Sequence, residues 1–95
     1  MVTEIAQITV AEGNEAAFEI AMRVDGGIAN LSACPGVISV RFGQGVESPS
    51  KFAFVVEWTS VEAHAAAKET DAFKVFGQKI GPFGIGGSME HFKLA

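Results

Sequence analysis

No tyrosine occurs in this sequence, and it has a single cysteine and a single tryptophan. One cysteine, Cys34, excludes an internal disulfide, and the chain reads as cytoplasmic. Its seven Lys and Arg residues are scattered and the net charge is −4. There is thus no basic stripe to displace counterions from nucleic acid and no polybasic surface for a membrane. No apolar stretch approaches the roughly 20 residues needed to span a bilayer. The opening MVTEIAQITV has no charged segment leading into a long apolar core, so it does not read as a signal peptide. The glycines at 82–87 lack the G-x-G-x-x-G spacing and lead into a strand, which excludes a phosphate loop. No nucleotide or flavin motif is visible, and no cofactor is expected. A metal site needs three or four convergent ligands. The only two histidines, His64 and His91, have no helical pair spacing, and with a carboxylate such as Glu57 they would converge only by accident of folding. No metal is expected either.

What the chain does have is apolar surface. Hydrophobic residues make up 48% and charged residues 19%, the latter below the roughly 25% of an average globular chain. The length has room for one domain, 1–95, whose small core cannot easily absorb that surplus. Burial against a second copy would.

Residues 3–10 are β-branched and alternate: Ile5, Gln7 and Thr9 point one way, Ala6, Ile8 and Val10 the other. A turn at Glu12-Gly13-Asn14, with Asn14 as N-cap, predicts a long helix through Phe18, Ala21, Val24, Ile28 and Leu31, weakened at Gly26-Gly27 and closed by Pro35-Gly36. Strands are predicted at 36–44 and 51–58, the second apolar on both faces. Ser60 and Thr70 read as N-caps of two further helices, the second carrying Phe73, Phe76 and Ile80. The glycine-rich 82–87 is expected to be irregular and a last strand to run over 88–94. The order β-α-β-β-α-β predicts an α+β, ferredoxin-like fold with an antiparallel sheet. Helices would cover one sheet face and leave the other, with Ile5 and Val55, bare. Such a face predicts a homodimer packed sheet to sheet.

Taken together, ACPGVISVRF, then FVVEWTSVEAHAAAKETDAFKVF, then SMEHFKLA resemble the antibiotic biosynthesis monooxygenase family. The most specific pieces are W-x-S-x-E-A-H at 58–64 and T-D-A-F at 70–73, and the likeness extends over nearly the whole chain. It implies a dimeric α/β barrel built from the topology above. It does not fix the chemistry, because the family includes phenol and hydroquinone oxidases, haem-degrading enzymes and an isomerase. The haem-degrading branch is implied to carry an Asn, a Trp and a haem-ligating His where this chain has Ala6, Ala67 and Gly77. None matches.

Two histidines are the candidate bases. His64 lies on the helix after Trp58 and His91 on the last strand, and either could take a phenolic proton near neutral pH; the plain alternative is a partly exposed helix residue and a wet strand residue. Trp58 could donate its indole N–H to a ligand or serve as a core anchor. Gln7, mid-strand among apolar neighbours, could line a pocket or reach across a dimer. Phe54, Phe73, Phe76 and Phe83 could line an apolar cleft for a small aromatic or hydrophobic ligand, or simply fill the core. Cys34 has no local activating partner. Three readings follow: a cofactor-independent monooxygenase acting on an electron-rich phenol, hydroquinone or anthrone; a non-oxidative ligand binder or isomerase; and a dimeric protein without small-molecule chemistry. A side-chain-filled space between sheet and helices would favour the third.

Overall fold

A computed structural model describes residues 1–95. Four strands, β1 (Val2–Val10), β2 (Val37–Gln44), β3 (Lys51–Trp58) and β4 (Gly84–Phe92), form one antiparallel sheet in the order β2-β3-β1-β4. Four helices, α1 (Glu15–Arg23), α2 (Gly27–Ser32), α3 (Val61–Ala67) and α4 (Asp71–Ile80), complete the ferredoxin-like α+β fold. None is long and apolar enough to cross a membrane.

Period-two alternation divides the sheet. In register, Glu4, Ala6 and Ile8 of β1 stand beside Val56, Phe54 and Phe52 of β3 and beside His91, Met89 and Gly87 of β4. This row faces the helices. Phe18 of α1 anchors the core at one end, with edge-on contacts to Phe52 (ring centroids 4.8 Å) and Phe83 (5.7 Å). Glu15 ties the start of α1 down: its carboxylate accepts from the Gly13 N–H at 2.8 Å and the Ser50 hydroxyl at 2.7 Å. The Ser50 bond first, then the backbone bonds, hold that carboxyl below its ordinary value.

Three expectations change. The single long helix is two, because Gly26 takes a left-handed conformation (φ 93°) and ends the first register. Asn14 makes no side-chain cap bond; Glu15 instead fixes the preceding turn through the Gly13 N–H and the Ser50 hydroxyl. The glycines at 84–87 are not irregular: they are the first half of β4, paired with β1. Gly87 passes so close to the Gln7 carbonyl that a Cβ could not fit.

The opposite face is uncovered, and it is more polar than the pattern of Ile5 and Val55 suggested. Ile5 and Val55 are flanked by Glu90 and Arg41, and Gln7 lies between Ala53 and Ser88.

Candidate active site

The helices do not fill the space above the sheet. A cavity of about 520 Å³ lies between β1, β3 and β4 below and α2, α3 and α4 above, within the range of small-molecule sites. Ala6, Ile8, Leu31, Phe54, Val56, Phe73, Phe76, Ile80 and Met89 give it hydrocarbon walls, and Gly84, Gly86 and Gly87 line it without side chains.

One end is polar. α3 starts where the Ser60 hydroxyl accepts the Ala63 N–H at 3.0 Å, and its second turn presents His64 to the sheet. His64 is 3% exposed and lines the cavity. The Trp58 ring stacks on it, with centroids 4.3 Å apart and planes 14° from parallel. His64 Nδ1 lies 2.7 Å from His91 Nε2, a hydrogen bond, and 3.8 Å from Glu4 Oε1. The same Glu4 oxygen accepts the Trp58 indole N–H at 2.8 Å. Burial is the first cause holding His64 below the ordinary histidine value; Glu4 pulls it up, and His91 and Lys68 push it down.

The histidines expected to converge only by accident therefore do converge, through the β1–β4 register that sets His91 beside Glu4. His91 faces the helix side of the sheet, not a wet face. The carboxylate beside them is Glu4; Glu57 lies on the other face and accepts from the Thr3 hydroxyl at 2.7 Å. No three His, Cys, Asp or Glu side chains are arranged to hold a metal ion.

The other candidates separate. Phe54, Phe73 and Phe76 line the cavity. Phe83 packs on Phe18 in the core instead. Trp58 is fully buried and its only donor is committed to Glu4, so it has no hydrogen bond to offer a ligand. Gln7 borders the cavity but is exposed, and its side chain shares the uncovered face with Ile5. Sequence reasoning missed Glu4 and Lys68, a cation on the cavity wall. Cys34 is buried away from the cavity, its thiol pushed up by burial and directed at the Asn30 carbonyl.

An antiparallel sheet under paired helices, with an apolar cavity between them, defines an α+β, ferredoxin-like domain with room for a small molecule. The chain belongs to the antibiotic biosynthesis monooxygenase family, whose sequence model matches residues 1–79. It is similar to a Bordetella bronchiseptica protein assigned to these monooxygenases, at 25% identity and a TM-score of 0.86, over 99% of this chain and 96% of that one. A Nitrosomonas europaea protein of the same assignment is 18% identical with a TM-score of 0.81, over 99% and 98% of the two chains. A point mutant of SnoaB, a cofactor-independent oxygenase from Streptomyces nogalater, is 18% identical with a TM-score of 0.79, over 98% and 91%. The latter two likenesses establish the fold alone. No curated protein matches the sequence.

Proposed function

We propose that this protein is a cofactor-independent monooxygenase that uses O₂ to oxidise a small electron-rich aromatic, a phenol, hydroquinone or anthrone, and works as a homodimer. One observation carries the reading: an apolar, aromatic-walled cavity whose polar end holds a buried histidine. Family membership and the oxygenase SnoaB among its structural neighbours support it.

The chemistry asks little of the protein beyond a base and a dry site. For an anthrone in its phenolic form, His64 takes the O–H proton and the electron pair stays on the ring. That anion passes one electron to O₂, and the organic radical and superoxide join at the carbon that still carries a hydrogen. The terminal peroxide oxygen takes a proton. Loss of the C–H proton and hydroxide then releases water and leaves a carbonyl. One oxygen atom enters the product and the other becomes water, so no outside reductant is needed. Phe54, Phe73 and Phe76 hold the flat ring, and Lys68 supplies positive charge near the anion.

A non-oxidative ligand binder or isomerase uses the same cavity. The lack of tyrosine and the commitment of the Trp58 N–H favour it, since few donors remain to orient an oxidised product. Oxygen uptake by purified, metal-free protein with a panel of hydroquinones, anthrones and catechols separates the two. Uptake with carbonyl formation is expected, reduced about 100-fold or more in His64→Ala, the scale of a lost general base. No uptake above buffer across the panel transfers the site to ligand binding or isomerisation.

A further inference from the structure

Two imidazoles, not one, meet at the polar end of the cavity, and they are placed differently. His64 is buried and lines the cavity. His91 is half-buried on the edge strand β4 and is not part of the cavity wall. The 2.7 Å bond between His64 Nδ1 and His91 Nε2 holds one proton. The Glu4 carboxylate, 3.8 Å from His64 Nδ1, is placed to favour the tautomer with hydrogen on that nitrogen. Glu4 is held in place, because the same oxygen accepts from Trp58, which is fully buried and stacked on His64. His64 Nε2, without a partner in the chain, is left as the basic atom.

We propose that His64 and His91 form a two-imidazole proton relay, in which His64 takes the proton of a phenolic ligand and His91 stores it outside the cavity. Glu4 is the positioning residue that sets the direction of transfer. The relay deepens the oxidation reading and rests on it for the return step.

The phenol O–H bond breaks, the proton bonds to His64 Nε2, and the electron pair stays on oxygen. The proton on His64 Nδ1 crosses to His91 Nε2, so His64 is neutral again and His91 carries the charge. When the peroxide has formed, the proton runs back through the same two bonds to its terminal oxygen. No proton is gained or lost over the cycle. The charged and titratable groups facing His64 are Glu4 from β1, His91 from β4 and Lys68 from its own helix; Trp58 of β3 and Phe73 of α4 add aromatic faces without charge. Burial and the second imidazole both oppose a doubly protonated pair.

Histidine ¹⁵N NMR of the full chain against pH, with His91→Gln and Glu4→Gln beside it, tests the relay without turnover. The two bridging nitrogens are expected to report one shared proton and to titrate together. His91→Gln should leave His64 titrating as a single site, and Glu4→Gln should move the resting proton from Nδ1 to Nε2. Independent titration in the wild type, or an unchanged tautomer in Glu4→Gln, overturns the proposal. In oxygen uptake, His91→Gln should lower kcat about 10- to 100-fold with KM unchanged, and added imidazole should restore part of the loss. Uptake by His91→Gln equal to wild type sinks the relay and leaves the oxidation reading standing. If the wild type takes up no oxygen, the oxidation reading fails. Binding of 4-nitrophenol, too electron-poor to reduce O₂, then decides the relay by whether it binds as phenolate with its proton on the pair.

Discussion

His64 is 3% exposed, with an indole stacked on one side of its ring and a second imidazole on its Nδ1. Its folded-state pKa lies below the ordinary 6.5, chiefly because burial penalises the charged ring. The unfolded chain binds this proton near pH 6.5, whereas the folded chain resists it until lower pH. Stability linked to His64 is therefore fully present above 6.5 and is lost as pH falls through the lowered folded value. Urea midpoints should drop between neutral and mildly acidic pH in the wild type and drop less in His64→Phe. Equal slopes would remove His64 from the account. His64 and His91 were easy to nominate, being the only histidines. Glu4 was not, because an acidic residue in an alternating strand reads as a wet position. Yet it is in phase with Ala6, Ile8 and Val10, and that phase was a usable signal for an inward carboxylate. The Trp58 partner was invisible, since its donor meets a strand 54 residues away.

The capped helices are the elements that place the cavity walls, and here local sequence was informative. The Ser60 hydroxyl accepts from Ala63 N–H and the Thr70 hydroxyl from Phe73 N–H at 3.3 Å, as the spacing predicted. Each cap satisfies a helix donor that has no partner within its helix, so Ser60→Ala and Thr70→Ala should each lower unfolding free energy by about 1 kcal/mol in urea melts. A null effect at either site would mean that tertiary packing alone holds that helix. Glycine-rich stretches were the illegible elements. Three of the four residues at 84–87 are glycines, which weaken a strand, and their conformation comes from pairing with β1. Local pattern cannot report a partner that lies so far off in sequence. The break at Gly26 was the reverse: two glycines were noticed as a weakness, and the left-handed backbone turns the weakness into a boundary.

At the scale of the whole molecule the uncovered sheet face points to self-association. One row across it runs Arg41, Val55, Ile5, Glu90: apolar in the middle, positive at one edge and negative at the other. A two-fold axis parallel to the strands would set Arg41 of one copy over Glu90 of the other while the apolar centres meet. Sedimentation at micromolar concentration should give a dimer for the wild type and a monomer for Ile5→Lys with Val55→Glu, with the far-UV spectrum kept. A monomeric wild type would overturn the pairing. The β-α-β-β-α-β order was legible because it follows from local periods. The charge pattern on the face was not, because it depends on a register across four strands.

β1 is a central strand, and β4, on its outer side, is the last to be made. The fourth residue meets the ninety-first, so Glu4 and His91 come together only after nearly all the chain between them has been synthesised. A nascent chain can close the α1, α2, β2 and β3 portion earlier, but β1 then has one open edge and the cavity lacks a wall. Long-range strand pairing of this kind is slow and leaves an exposed edge while it waits. The end of the cavity where His64 meets His91 thus forms only once β4 has been made, and in the interval before β4 arrives the open edge of β1 can mispair with neighbouring chains.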